Sequence, residues 1–131
     1  MTTTATHLAR RRVSQLEIAL MERRFTFSNE SELQRGIEIV LATHPLLLGI
    51  ANFREVEIKG AGRIDFLVRG IGIECKVAGS VTSIAPQILS YLESSAVDAL
   101  LLVTTKRAHT ALEGTHLGKF VRVHVLTGGL G

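Results

Sequence analysis

Residues 62–77, GRIDFLVRGIGIECKV, constrain the fold of this 131-residue chain more than any other stretch. Aliphatic residues alternate with other side chains on both sides of a glycine-containing turn at residues 70–72, which predicts a β-hairpin. Period two places Glu74 and Lys76 on one face of the second strand, and the hairpin brings Asp65 beside them. Two carboxylates and an ammonium on a half-buried sheet face are costly to desolvate unless something compensates them. A divalent cation would supply that compensation.

The same alternation places Cys75 on the face opposite Glu74 and Lys76, so we expect a small core residue there and not a nucleophile. Cys75 is the only cysteine, which excludes an internal disulfide and a cysteine zinc cluster. The histidines lack the spacing of metal ligands, and we expect structural or surface roles for His44, His109, His116 and His124.

The composition, 46% hydrophobic and 21% charged, predicts a globular protein of one domain. No apolar run reaches the roughly 18 residues of a transmembrane helix, and the N-terminus lacks a signal-peptide pattern. We therefore expect an intracellular, cytoplasmic protein, associated with a nucleoid or, if viral, present in the host cytoplasm. The net charge of +3, with eleven arginines among fifteen basic residues, favours a polyanionic partner. A basic but non-binding surface is the alternative.

Periodicity and capping signals predict the order helix, helix, three strands, helix, strand, helix, strand. The predicted helices cover residues 7–24, 28–44, 84–94 and 108–117, and the strands outside the hairpin lie within residues 53–58, 96–104 and 120–126. Ser28 or Asn29 would cap the second helix and Thr82 or Ser83 the third, with Pro86 in its first turn. This order predicts an α/β sandwich with a mixed central sheet and helices on both faces. Residues 1–27 would form a basic helix and linker, residues 28–127 the core, and residues 128–131 a flexible tail, within a single domain.

The first predicted helix allows two interpretations. An approximate helical period indicates an apolar stripe that packs on the core, formed by Leu8, Val13, Leu16, Leu20 and Met21. The arginines at its two ends would instead suit a helix that faces DNA or a partner protein.

Asp65, eight intervening residues and Glu74-Cys75-Lys76 resemble the motif of the PD-(D/E)xK nuclease superfamily. The resemblance implies a restriction-endonuclease-like α/β/α sandwich whose core runs helix, three strands, helix, strand. It also implies that Asp65, Glu74 and the backbone carbonyl of Cys75 hold Mg²⁺ or Mn²⁺, and that Lys76 orients or helps to deprotonate the attacking water. Ile64 stands where the family often has proline.

Two further segments extend this resemblance. Residues 30–34, ESELQ, resemble the helix opening E-x-x-L-Q of virus-type replication–repair nuclease domains, which implies that Glu30 completes the acidic site, with Glu32 as the alternative. As first-turn residues, both glutamates are also explained by the helix dipole. Residues 87–91, QILSY, resemble the Gln-x-x-x-Tyr element of recombination exonucleases, which implies that Gln87 points at the site.

The resemblance implies a DNA nuclease that acts in replication, repair or recombination, with branched DNA among the candidate substrates. Small junction-resolving members are dimers, so it further implies a homodimer; we expect no membrane and no small-molecule cofactor. The basic residues that we expect to contact phosphates are Arg63, Arg69, Lys106, Arg107, Arg10, Arg11 and Arg12.

Two other interpretations stay open. The chain could be a non-catalytic nucleic-acid-binding or interaction protein that keeps the nuclease fold. It could also be an unrelated α/β protein in which Glu74 and Lys76 form an ordinary salt bridge and Asp65 is a surface charge.

Overall fold

A computed structural model describes residues 3–127 of the chain; the predicted tail at residues 128–131 lies outside the described residues. The α-helices are α1 (Thr3–Met21), α2 (Glu30–Thr43) and α3 (Val81–Leu92). The strands are β1 (Phe53–Ile58), β2 (Gly62–Val68), β3 (Ile71–Lys76), β4 (Ala99–Thr104), β5 (Gly114–His116) and β6 (Lys119–Val125). Two 3₁₀ helices complete the described elements, Pro45–Leu47 and Arg107–Leu112. The prediction of an α/β protein is confirmed.

All the described strands form one mixed sheet in the order β1-β2-β3-β4-β6-β5. Strands β1, β2 and β3 are antiparallel neighbours, whereas β3, β4 and β6 run parallel and β5 returns antiparallel to β6. Strand β4 carries the continuous apolar run of the sequence, and all six of its residues are buried, as expected for a central strand covered on both faces.

Helices cover both faces of this sheet. One core cluster contains buried residues of α1 and α2 with Phe66, Ile73 and Cys75 of the sheet. The second cluster joins α3 residues such as Tyr91 to sheet residues such as Leu102. Because successive side chains of a strand point to opposite faces, Cys75 packs under α1 and α2 while Glu74 faces α3. Cys75 is therefore the core residue that its alternation predicts.

The hairpin turn begins one residue earlier and ends two residues earlier than the sequence prediction. Residues Arg69 and Gly70 both have positive φ, 53° and 82°, as a two-residue type I′ turn requires. Strand β3 begins directly afterwards, so Ile71 and Gly72, which were predicted in the turn, belong to the strand.

Helix α1 begins at Thr3 and ends at Met21, earlier at both ends than the predicted 7–24. Its core-facing side is buried and includes Ala9, Val13, Leu16, Ala19 and Leu20. Leu8 and Met21, which were predicted to belong to this stripe, are 39% and 65% exposed. The helix therefore packs on the sheet, and its arginines lie along the margin and the outer side.

Helix α3 begins three residues before the predicted start because Ser80 caps it, its hydroxyl accepting from the Ser83 N–H. Thr82 and Ser83 therefore lie inside the first turn, and Pro86 is in the helix interior, not the first turn. The predicted helix at residues 108–117 is also wrong. A 3₁₀ helix occupies residues 107–112, and the short strand β5 follows it.

We expect Gly72→Ala to destabilise the protein by roughly 1–3 kcal/mol through overpacking. A Cβ at this position would lie 2.3 Å from Cδ1 of the fully buried Ile64. Chemical denaturation would measure the loss. Ile64→Val removes Cδ1, so in the Gly72→Ala background it should cost at least about 1 kcal/mol less than in the wild type. Additive effects would show that the contact is not the cause.

Candidate active site

Strands β2 and β3 part at the end opposite their turn. Their backbone pairing covers only the three pairs from Phe66↔Ile73 to Val68↔Ile71. Strand β2 nevertheless stays paired with β1 back to Gly62, and β3 stays paired with β4 to Lys76. A gap therefore opens in the sheet between residues 62–65 and residues 74–76. We call it the strand gap.

Carboxylates bind the backbone N–H groups that this parting exposes. Oδ2 of Asp65 accepts from the Cys75 N–H at 2.7 Å, and Oε1 of Glu74 accepts from the Asp65 N–H at 3.2 Å. From α2, Oε1 of Glu30 accepts from the Val77 N–H at 3.3 Å. Three acidic side chains thus converge on one short length of β3, two from the hairpin and one from α2.

The start of α2 distinguishes Glu30 from Glu32. Asn29 caps the helix by accepting from the Glu32 N–H. The Glu32 carboxylate reaches back to accept from the Ser28 N–H at 2.6 Å, one residue before the N–H that a capping box uses. Glu32 is exposed and its side chain is engaged at the helix start, whereas Glu30 is half-buried and contacts the end of β3. The structure therefore brings Glu30 to the strand gap.

Glu74 and Lys76 form an ion pair on the α3 face of β3, with 3.4 Å between Oε2 and Nζ. The Glu74 side chain is almost fully buried, whereas that of Lys76 is 21% exposed. Burial, reinforced by the negative charge of Asp65, raises the pKa of Glu74 to about 7 against the lowering effect of Lys76. Glu74 therefore exchanges its proton near neutral pH.

Asp65 has a raised pKa for the same main reason. Burial raises this pKa most, and the negative charge of Glu30 adds to the rise. The hydrogen bond from the Cys75 N–H, the positive charge of Lys76 and the Gln34 amide lower it. Burial also raises the pKa of the Cys75 thiol, as do the surrounding carboxylates, so Cys75 is a poor nucleophile at neutral pH. The strand gap therefore brings more carboxylates than ammonium groups into a partly buried place.

The backbone carbonyl of Cys75 faces this gap. In a β-strand the N–H and C=O of one residue point to the same side, and the Cys75 N–H points at Asp65. The next carbonyl, that of Lys76, points the other way and accepts from the Thr105 N–H at 3.2 Å. Asp65, Glu74 and the Cys75 carbonyl thus lie around the place where the sequence predicts a cation.

This donor set fits a hard divalent cation. Within residues 3–127, no three His, Cys, Asp or Glu side chains are arranged as a ready-made metal-binding group. Mg²⁺ does not need one, since it commonly keeps several waters and binds one or two carboxylates. Asp65 and Glu74 could supply these, with the Cys75 carbonyl as a third oxygen and Glu30 close by. The mutual repulsion of the carboxylates is what a cation would relieve.

Gln87 and Tyr91 lie on α3 at the start of β2. A Cβ on Gly62 would lie 3.3 Å from Nε2 of Gln87, and the Tyr91 hydroxyl donates to the Arg63 carbonyl at 2.8 Å. Across the described residues, no hydrogen bond joins Gln87 to Asp65, Glu74 or Lys76. The structure thus places Gln87 beside the strand gap, without direct contact with its carboxylates.

The basic residues predicted to contact phosphates fall into two groups. Arg63, Lys106 and Arg107 lie at the end of the sheet that contains the strand gap, because β2 begins there and β4 ends there. Arg69 lies in the hairpin turn at the other end, where Nη1 of Arg12 donates to its carbonyl. Arg10 stacks on Phe120 at that same end, and Arg11 adjoins it on α1.

The sequence interpretation gave no role to Gln34 and expected only a structural or surface role for His109. Gln34 lies one turn after Glu30 on α2, accepts from Nη2 of Arg54 and lowers the pKa of Asp65. Its spacing from Glu30 was the available signal. His109 is fully buried, with Nδ1 2.6 Å from Oγ1 of Thr104 and Nε2 2.7 Å from the carbonyl of Gly79. It fastens the loop after β4 to the loop before α3, and no spacing pattern indicated it.

No protein-family model, no curated protein and no solved structure matches the chain. Of the helices within residues 3–127, none has the length and apolarity needed to cross a membrane.

Proposed function

We propose that the chain is a divalent-metal-dependent nuclease that hydrolyses phosphodiester bonds of DNA at the strand gap. The convergence of Asp65, Glu74 and Glu30 with the ammonium of Lys76 carries this proposal. Structural charges on a sheet would be solvated or paired one to one. Here Lys76 pairs with Glu74, whereas Asp65 and Glu30 bond to backbone N–H groups, and the pKa values of Asp65 and Glu74 are raised.

The residues have separate roles in this proposal. Asp65, Glu74 and the Cys75 carbonyl would hold Mg²⁺ or Mn²⁺, and Glu30 would position them through the end of β3. Such an ion, when bound, lowers the pKa of a coordinated water and offsets charge on the scissile phosphate. Lys76, partly exposed above Glu74, would orient the attacking water and stabilise the negative charge that develops on the phosphoryl oxygens.

We further propose that the sheet with its covering helices is a restriction-endonuclease-like sandwich. The order α2, β1, β2, β3, α3, β4 supports this, because it is the order that the resemblance implies. The placement of the strand gap between the second and third strands supports it as well.

The test is a cleavage panel of linear, nicked, flapped and four-way-junction DNA with Mg²⁺, Mn²⁺ or EDTA. We expect metal-dependent cleavage of at least one of these substrates and none in EDTA. Intact DNA in every metal-containing reaction would contradict the proposal.

Glu30→Gln should lower the cleavage rate about 10- to 100-fold, the usual effect of losing a group that orients metal ligands. Glu32→Gln is the matched control, since it keeps an oxygen for the Ser28 N–H and lies outside the gap. It should cleave at the wild-type rate. Initial rates at saturating Mn²⁺ would compare the two variants. The reverse order of effects would assign the third acidic position to Glu32.

A non-catalytic nucleic-acid-binding protein is the second candidate. It is favoured by the finding that the three carboxylates already bind backbone N–H groups and that no ready-made metal group is present among residues 3–127. Salt-dependent DNA binding without cleavage in the panel would identify this function.

A further inference from the structure

Many of the basic side chains are occupied within the protein. Arg54 and Arg63 pair with glutamates, and Arg122 pairs with Glu17. Lys119 donates to the backbone carbonyls of Leu92, the last residue of α3, and of Ser94. Such residues are held by the fold and have less charge to offer a ligand.

Of the described basic residues that are exposed and free of internal partners, four lie just after the ends of α1 and β4. Within residues 3–127, the side chains of Arg23, Arg24, Lys106 and Arg107 make no ion pair and no hydrogen bond. Arg23 and Arg24 follow the end of α1, and Lys106 and Arg107 follow the end of β4. The sequence interpretation counted Arg23 and Arg24 among the arginines of a helix that would face DNA or a partner protein, but did not name them as phosphate contacts.

Arg23 and Arg24 line a groove of about 230 Å³ between the end of α1 and the end of β6. Its other side is formed by residues 124–127, and no described Asp or Glu lines it. The groove therefore presents positive charge and backbone to solvent at the carboxyl end of the parallel strands.

The groove and the strand gap lie along the same edge of the sheet, the one formed by the carboxyl ends of β3, β4 and β6. The Leu126 N–H donates to the Thr104 carbonyl at 2.7 Å, and the Thr105 N–H donates to the Lys76 carbonyl at 3.2 Å. Lys106 and Arg107 thus follow the strand that lies between β3 and β6. Neighbouring strands are about 4.8 Å apart, so this path from β6 to β3 is about 10 Å wide. A duplex covers that distance in about three nucleotide steps.

We propose that Arg23, Arg24, Lys106 and Arg107 form a phosphate track that guides a DNA backbone along this edge to the strand gap. This assignment rests on the nuclease proposal for the gap itself. The track contacts sugar–phosphate and not bases, since the aromatic rings that line the groove, Phe25 and Phe27, are 6% and 1% exposed and have no free face for stacking. Binding along it is independent of sequence.

The test uses two double variants, Arg23→Glu/Arg24→Glu and Lys106→Glu/Arg107→Glu, and fluorescence anisotropy of a labelled 30-bp duplex in EDTA over a salt series. Each pair should weaken binding about tenfold and reduce the slope of log K against log salt by about 1.8, because each lost phosphate contact removes about 0.9. The loss should be equal for duplexes of unrelated sequence.

Arg35→Glu/Lys59→Glu is the matched control. It makes the same change in charge at two exposed basic residues outside the track, one on α2 and one in the turn between β1 and β2, and it should bind within twofold of the wild type. An equal loss in this control would overturn the track, since binding would then follow net charge alone.

Cleavage by the wild type in Mn²⁺, assayed on this duplex and on nicked, flapped and four-way-junction DNA, separates the two proposals. If the wild type cleaves and neither track variant weakens binding, the track is wrong and the nuclease stands. If both track variants weaken binding and the wild type does not cleave, the track is supported and the hydrolytic function fails. A wild type that neither binds nor cleaves overturns both.

Discussion

Glu74→Gln is expected to stabilise the metal-free protein at pH 8 by roughly 1–3 kcal/mol. Glu74 is buried, and its pKa rises from 4.5 in the unfolded chain to about 7 in the folded protein. Forcing this carboxyl to ionise in the fold therefore costs free energy above neutral pH. Glutamine has nearly the same shape, stays neutral and keeps an oxygen for the Asp65 N–H.

The sign follows from proton binding. Between pH 4.5 and about 7 the folded state holds a proton on Glu74 that the unfolded state has lost, so the stability of the wild type falls as the pH rises through this window. Below pH 4.5 both states are protonated, and the two proteins should differ little. The stability difference should therefore grow from pH 4.5 to pH 8.

Urea unfolding in EDTA at several pH values would measure this difference. Glu57→Gln, an exposed glutamate of β1, is the control and should stay within about 0.5 kcal/mol of the wild type throughout. If the wild type and Glu74→Gln differ in stability by the same amount at pH 4.5 and at pH 8, burial does not raise the pKa of Glu74 in the folded protein.

Lys76→Ala is expected to lower the cleavage rate by about 10²- to 10⁴-fold, the range in which a positioned proton donor or acceptor contributes. Its Nζ is 3.4 Å from Oε2 of Glu74, and its side chain is partly exposed over the strand gap. Within residues 3–127, Lys76 is the only positive side chain that forms an ion pair with Glu74, Asp65 or Glu30. Removing it should leave the metal oxygens in place.

Single-turnover cleavage with saturating Mn²⁺ would measure this loss, and circular dichroism would verify the fold. Lys59→Ala is the control, because Lys59 is an exposed lysine in the turn between β1 and β2. It should retain the wild-type rate within a few-fold. A Lys76→Ala protein that cleaves at the wild-type rate would remove Lys76 from the chemistry.

The hairpin could be predicted because its signals are local. Alternating aliphatic residues and paired glycines are sufficient to place β2 and β3. They also place Glu74 and Lys76 on one face of β3 and Cys75 on the other. The parting of β2 from β3 could not be read in the same way. It depends on the carboxylates of Asp65 and Glu74 replacing ladder hydrogen bonds between strands, and alternation alone does not show where a ladder stops.

The positions of the basic residues relative to the strand gap were harder to predict than the hairpin, because they depend on which way α1 runs across the sheet. Sequence shows that α1 carries arginines at both ends, but only packing shows that its first half lies against Phe120 and its end beside residues 124–127. Arg23 and Arg24, and not Arg10 and Arg12, therefore share an edge with the strand gap. Similarly, spacing alone could not show whether Glu30 or Glu32 reaches the strand gap. The structure decides it, because the Glu32 carboxylate is bound to the Ser28 N–H.

The start of α3 shows the limit of capping rules. Ser80, Thr82 and Ser83 are all competent caps, and the one that serves is set by the loop after β3. Ser80 accepts from the Ser83 N–H, and its carbonyl accepts from the Ser83 hydroxyl. That loop is in turn fixed by the bond from His109 to the Gly79 carbonyl, a contact between residues thirty positions apart.

Calorimetric titration of Mn²⁺ into the wild type and into Asp65→Asn/Glu74→Gln tests the central claim most directly. We predict saturable binding to the wild type that is tighter at pH 8 than at pH 6, because Glu74 must lose its proton to bind a cation. The double variant should show none. Equal binding by both proteins, or no binding to the wild type at millimolar Mn²⁺, would contradict a metal site at the strand gap.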